Sequence, residues 1–246
     1  MTGTRVSVII PAFHMARFLQ QAVTSTRRQQ PAVSEIIVLD SSTTENTPNI
    51  VRELAADGAP IHLMQLNQCP PGAARNAGLN CATGDVIAFL DADDVWPANK
   101  LARQLGYLEA HPEISAVSGF VTYFDELDPA TLQPAATSRV ATVFGVHVGA
   151  WIYRRQLFER VGRFDESFLY SEDVDLFMRI RENGVLFTIL RDVTLYYRRH
   201  PHSMMSQNNP RKHSDFRMAV ARSLARRRRD NDAPADLGSL ETFLER

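Results

Sequence analysis

Three carboxylates crowd the end of one short apolar run. In "IAFLDADDVW" (Ile87–Trp96) they are Asp91, Asp93 and Asp94. Like charges this close repel, so the cluster calls for a counter-charge. At the end of an extended strand, residues two apart point the same way. Asp91 and Asp93 can therefore face one ligand, with Asp94 turned into the loop. Hard carboxylate oxygens suit Mg²⁺ or Mn²⁺. Mg²⁺ usually keeps one or two carboxylates, waters and substrate phosphates, which points to a metal carrying a diphosphate. The other reading is structural: Asp93 and Asp94 are good capping residues for a helix beginning near Pro97. The motif alone leaves both open.

A second acidic group lies in "SEDVDL" (Ser171–Leu176). Acidic residues at a helix start are favoured by the macrodipole, whatever else they do. Asp175 has Arg179 four residues on, the pattern of an ordinary surface pair. Asp173 differs, because its neighbours at i+3, i+4 and i+7 are Leu176, Phe177 and Ile180. That places its carboxylate near the inward edge of the helix. Partial desolvation raises a carboxyl's pKa and makes it a better base. Arg75, in "AARNAG", reads either as a solvated helix face or as a phosphate contact, for which guanidinium geometry is suited. Gly72 opens that helix, where backbone N–H groups also favour anions. His200 stands beside arginines in "YYRRH", and by residue type alone reads as a surface histidine.

These residues need elements to position them. "VSVII" (Val6–Ile10), "EIIVL" (Glu35–Leu39) and "VIAFL" (Val86–Leu90) are short, continuous and β-branched, as buried parallel strands are. "IHLMQL" (Ile61–Leu66) is a weaker strand. Helical patterns over 16–28, 47–56 and 72–82 separate them. The alternation predicts βαβ units in an open parallel sheet with helices on both faces. Ligands in such sheets bind beyond the carboxyl ends of the strands, and Asp40 and Asp91 directly follow two of them. The second half is less regular. A helix is expected over 99–110, one or two strands over 114–124 and a helix over 154–161. "DELDPATLQPAATS" (Asp125–Ser138) reads as a mobile loop. A last amphipathic helix over 216–229 carries Phe216, Val220 and Leu224 at four-residue spacing.

Composition narrows the possibilities. The chain has 246 residues, is 44% hydrophobic and 22% charged, and has a net charge of −1. Near-neutral charge gives no electrostatic reason to expect nucleic acid. Two cysteines, Cys69 and Cys81, are too few for a disulfide scaffold, and no Cys/His spacing resembles a zinc site. No apolar run approaches a membrane span, and the start lacks the apolar core of a signal peptide. The expected setting is cytoplasmic, or peripheral on the inner face of a membrane.

The ordered motifs "VSVIIPAF", "EIIVLD", "GAARNAGLNCATGDVIAFLDADD", "VGRFDESF", "SEDVDLFMRI" and "YYRRH" resemble glycosyltransferase family 2 from about Val6 to Met205. The resemblance implies a GT-A type α/β fold: a mostly parallel, Rossmann-like sheet flanked by helices, with a smaller acceptor-side half. It implies one domain over 1–215, with a nucleotide-binding half (1–98) and an acceptor-binding half (99–215). A basic helix and tail (216–246) follow. The implied activity is inverting transfer of a sugar from a nucleoside-diphosphate sugar, with Mn²⁺ or Mg²⁺. The acceptor would be a saccharide, a lipid-linked or a small-molecule hydroxyl. Pro11, Ala12 and Phe13 would border the base, and Asp40 would bond the base or ribose. Arg75 would approach the base or diphosphate, and Asp91 the ribose. Asp93 would hold the metal, with Asp94 and His200 as further candidates. Asp173 would be the base, with Glu172 orienting the acceptor. Either the 125–138 loop or the segment 200–210 would close over the donor.

Two departures stand out. After the second strand, "LDSSTTENT" has Ser41 and Ser42 where the family pattern has Asp and Gly, and Glu45 for a later Asp. "PAFHM" has Phe13 and His14 where Tyr-Asn is common. A degenerate relative that binds only a nucleotide sugar or a partner is therefore an alternative. A nucleotidyltransferase is disfavoured, because "IPAFHMARF" lacks a Gly-rich basic loop. The arginines of "ARSLARRRRD" (Ala221–Asp230) read either as a solvated helix end or as contact with anionic lipid.

Overall fold

Continuous β-branched runs can bury both faces only between layers of helix, and they do so here. The computed structural model describes residues 3–42, 46–229 and 243–245. Its first half runs β1 (Val6–Ala12), α1 (Ala16–Arg27), β2 (Glu35–Asp40), α2 (Thr47–Leu54), β3 (Ile61–Gln65), α3 (Pro71–Cys81) and β4 (Val86–Phe89). Each predicted element is present, with ends shifted by a residue or two. β1, β2 and β4 are buried almost throughout. Glycine lets α3 lie close to the sheet: a Cβ on Gly78 would stand 2.5 Å from Ile9 Cγ2.

The second half adds α4 (Lys100–Ala110), β5 (Ala116–Phe124), β6 (Leu127–Asp128), β7 (Gln133–Pro134), β8 (Ala141–Val143), β9 (Ile152–Arg154), α5 (Gln156–Val161), α6 (Glu172–Glu182), β10 (Phe187–Arg198) and α7 (Arg211–Arg229). The sheet order is β3-β2-β1-β4-β9-β5-β10, with β8 beside β5. β1, β2, β3 and β4 pair in parallel, as do β5 and β10, and β9 runs antiparallel to both β4 and β5. The carboxyl ends of β1, β2, β4, β5 and β10 therefore share one edge. The strand order reverses at β1, so a crevice opens there between the loops after β1 and β4.

Several expectations need correction. The helix expected over 154–161 is α5, starting two residues later, and a short strand, β9, that was not expected precedes it. The loop over 125–138 is not an open flap: β6 and β7 pair within it. The Asp125 carboxylate closes its base, accepting from Ser138 Oγ (3.0 Å), Arg139 N (2.9 Å) and Arg139 Nε (2.7 Å). α7 begins at Arg211, earlier than expected, and its apolar stripe does not face the core. Asp215, Ala219 and Ser223 are buried, while Phe216 and Leu224 are 50% and 42% exposed. Charge pairing sets this orientation. Arg226 bonds Glu182 (2.6 Å) and Asp175 (3.0 Å) of α6, and Arg222 pairs with Asp165. So part of the basic run is spent on docking the helix. No described helix is long and apolar enough to cross a membrane.

Candidate active site

The loop after β4 is fixed from both sides. Leu90 N–H donates to Ile9 O of β1 (3.1 Å), and Asp94 N–H closes a turn onto Asp91 O (3.0 Å). Val95 and Tyr196 of β10 exchange both backbone bonds (3.1 and 2.9 Å). Held this way, the three carboxylates point to three partners. Asp91 Oδ1 accepts from Arg75 Nη2 (2.6 Å), Asp93 Oδ2 meets His200 Nε2 (3.0 Å), and Asp94 Oδ1 accepts from Arg198 N–H (2.9 Å). None caps a helix: α4 starts at Lys100 behind Asn99, with no side-chain cap. The capping alternative is thereby set aside. Burial pushes the Asp94 carboxyl well up, and the charges of Asp93 and Asp91 add to this.

Arg75 is no solvated helix residue. It is 3% exposed, and its second Nη donates to Glu172 Oε1 (2.6 Å). One guanidinium thus joins the carboxylate after β4 to the start of α6. Gly72, at the start of α3, packs against Phe164 and Asp165 instead of opening an anion site. Burial works against the charge on Arg75, but Asp91 and Glu172 more than offset it. Burial pushes the Glu172 carboxyl up to about 7, with Arg75 opposing and Asp173 reinforcing. Asp173 is half-buried at the cleft wall, and loss of solvation pushes its carboxyl up to about 6, again opposed by Arg75.

The approach to α6 is held under strain. Ser171 adopts a left-handed conformation (φ 65°) directly before Glu172 and Asp173. Non-glycine residues in this region cost energy, and the surroundings must enforce them. Here Asp215 of α7 enforces it, because one carboxylate oxygen accepts from both Leu169 N and Tyr170 N at 3.0 Å. Asp175 is not the expected surface residue. It is 1% exposed and accepts from Arg179 and Arg226, anchoring α7 to α6.

These walls enclose a cleft of about 1240 Å³. Pro11, Phe13, Arg75 and Asp91 line it, as do Asp93, Asp94, Glu172 and Asp173. Three predicted residues lie behind the lining. Ala12 is buried in β1, and its carbonyl accepts from Ser41 N–H (3.0 Å). Asp40 is 1% exposed, and its Oδ1 accepts from Ser42 N (3.0 Å) and Oγ (2.5 Å). It anchors a turn that presents Ser41 to the cleft. Glu45 lies outside the described residues. His200 sits behind Asp93, its ring 4.9 Å from that of Phe18. Arg17 Nη2 lies 3.3 Å from His200 Nδ1. A guanidinium only donates, so Nδ1 accepts and Nε2 carries the proton given to Asp93.

Other lining residues were not foreseen. Arg17 and Lys212 bring positive charge to the cleft, and His147 and Tyr197 form an aromatic wall. Tyr123 Oη lies 2.6 Å from His147 Nε2, and burial pushes the His147 imidazole pKa down. The only sequence signal was a lone histidine in the apolar run "FGVHVGAW". The segment after β10 also lines the cleft through His202, Met204 and Met205, whereas the 125–138 hairpin does not.

The family model described as "Glycosyl transferase family 2" matches residues 7–162. An uncharacterized glycosyltransferase of Nostoc sp. is 32% identical over 179 residues, covering 65% of this chain and 54% of that protein. The chain thus spans little more than half of that relative. The Escherichia coli protein WfaP, a UDP-Glc:alpha-D-GlcNAc-diphosphoundecaprenol beta-1,3-glucosyltransferase, is 28% identical over 208 residues, covering 81% of this chain and 79% of its own. The mannosyltransferase PcManGT of Pyrobaculum calidifontis, solved with GDP-Man and Mn²⁺, superimposes with a TM-score of 0.66 at 24% identity, over 94% of this chain and 66% of its own. That likeness establishes the GT-A type fold of a mostly parallel sheet between helices. The chain belongs to glycosyltransferase family 2.

Proposed function

We propose that this protein transfers a sugar from a nucleoside-diphosphate sugar to an acceptor hydroxyl, with inversion at the anomeric carbon and Asp173 as the general base. One observation carries the reading. A desolvated carboxyl, Asp173, and a second acidic centre at Asp93 line one cleft at the sheet's carboxyl edge. The relatives support the donor class: WfaP is named for a UDP-sugar and PcManGT was solved with GDP-Man.

Asp173, ionised above about pH 6, takes the proton of the acceptor hydroxyl as that oxygen attacks. Attack comes from the face opposite the diphosphate, which departs. Glu172, tied to Arg75, orients the hydroxyl. Asp91 holds the ribose and Phe13, 38% exposed, offers a face for the base. Arg17 supplies positive charge where the diphosphate departs. The segment 200–210, which lines the cleft through His202, Met204 and Met205, would exclude water.

A carboxylate and an imidazole are donor types that a divalent ion accepts, although no group of three such residues comes together among the described residues. Asp93 Oδ2 and His200 Nε2 are 3.0 Å apart. Asp93 would hold such an ion through its carboxylate, and His200 would join it only with the Nε2 proton moved to Nδ1 and Arg17 turned away. The ion would neutralise charge on the leaving diphosphate. The protein would act in the cytoplasm or at the inner face of a membrane, on a saccharide or lipid-linked acceptor.

Thermal unfolding with UDP, GDP, dTDP and CDP, each with and without Mn²⁺, tests the site. A ligand bound only by the folded state raises the melting temperature. A rise with one nucleotide, dependent on Mn²⁺ and lost in Asp93→Asn, is expected. No rise with any of them would favour the degenerate, partner-binding alternative.

A further inference from the structure

Among the described residues the outward stripe of α7 is left largely uncovered, with Phe216 and Leu224 exposed and Val220 half-buried. Phe216, Val220 and Leu224 recur every four residues, so they share one helix face. Met205, 58% exposed, lies at the same end of the molecule, and both it and Phe216 also line the mouth of the cleft. Four arginines of this helix are exposed: Arg211 pairs with Asp215 (3.7 Å), while Arg217, Arg228 and Arg229 form no ion pair among the described residues. The helix has one acidic residue, Asp215, which is buried. Its outer face is therefore apolar along a line, basic beside that line, and free of negative charge.

Such a face is strange for a solvated helix. Its apolar residues could have been turned inward, yet Asp215, Arg222 and Arg226 take that side through α6 and the loop before it. It matches a helix lying in the surface of a bilayer, with apolar residues among the acyl chains and basic residues on anionic headgroups. We infer that the outer face of α7, with Met205, docks on an anionic membrane and places the cleft mouth against it. The acceptor would then be a lipid-linked saccharide reaching Asp173 from the headgroup layer. This last step rests on the proposed transferase activity. The docking itself does not.

The test is co-flotation of the full chain with phosphatidylcholine vesicles, with and without phosphatidylglycerol. Flotation is expected only with phosphatidylglycerol, falling as salt rises. A basic residue near an anionic surface contributes about 1 kcal/mol. Arg217→Gln with Arg228→Gln should therefore weaken binding roughly 30-fold, and Leu224→Ser several-fold. All three positions are outside the cleft lining, so nucleotide-dependent thermal shifts should persist in these variants and report that they fold. No flotation, flotation indifferent to lipid charge, or flotation unchanged in the variants would each overturn the docking. So would a dimer in solution that Leu224→Ser dissociates, since a second copy would then cover the stripe. Docking without nucleotide binding would refute the transferase reading and leave the surface standing.

Discussion

Replacing Arg75 by Met would keep the bulk of the side chain and remove its charge. The guanidinium is 3% exposed and serves Asp91 and Glu172 at 2.6 Å each, with Asp173 within its field. Removing one partner of a buried ion pair costs about 3–5 kcal/mol, because the remaining charges lose their compensation. The cost should depend on pH, with a definite sign. Glu172 and Asp173 titrate at about 7 and about 6 in the folded chain, above ordinary values of 4.5 and 3.8. The folded state therefore holds protons that the unfolded state releases. The stability this brings is full below the ordinary values and is lost as pH rises through about 7. Arg75 is the group opposing both shifts, so its loss moves both carboxyls further up. Urea unfolding should show the larger loss at pH 8, about 3–5 kcal/mol, and a smaller one near pH 5, where protonation relieves the pair. In the same variant, the acid limb of kcat/KM should move to higher pH. A loss below about 1 kcal/mol, typical of a surface pair, or an equal loss at both pH values, would refute the argument.

Two further perturbations probe how the fold holds the site. Asp215→Ala leaves two backbone N–H groups, of Leu169 and Tyr170, without their acceptor; each buried orphan costs about 1–3 kcal/mol. It should lower kcat more than nucleotide affinity, which activity and calorimetric titrations would separate. Gly119→Ala would put a Cβ 2.5 Å from the backbone oxygen of Asp192, where β10 shifts register. It should destabilise by about 1–3 kcal/mol in thermal or urea unfolding, with little change in nucleotide specificity.

The first half of the fold was legible because its strands bury both faces and its helices fall between them. β1, β2 and β4 need no knowledge of the rest to be recognised, and the rule that ligands bind beyond strand ends then located Asp91. β10 was not legible. "FTILRDVTLYYR" carries Arg191 and Asp192 in its middle, and a register shift there breaks the alternation a strand should show. β9 was hidden because three residues are too few to carry a period. The orientation of α7 was missed for another reason: its inward face is set by Arg222 and Arg226 meeting carboxylates distant in sequence, which no periodicity reports. The same holds for Arg75 and Asp175. Asp175 looked like a surface charge and Arg75 like either a surface charge or a phosphate contact, and both are buried because a partner element covers them. Asp173, by contrast, was placed by the apolar character of Leu176, Phe177 and Ile180 alone.

The central claim is that Asp173 serves as base for transfer from a nucleotide sugar. The direct measurement is release of nucleoside diphosphate from the donor class identified by thermal shift, with Mn²⁺ and a panel of acceptors, comparing the native chain with Asp173→Asn. The account predicts acceptor-stimulated release in the native chain, rising with pH through about 6. It predicts a fall of roughly 10²–10⁴-fold in Asp173→Asn, with the nucleotide-induced thermal shift retained. Release near native rates in that variant, with binding intact, would contradict it.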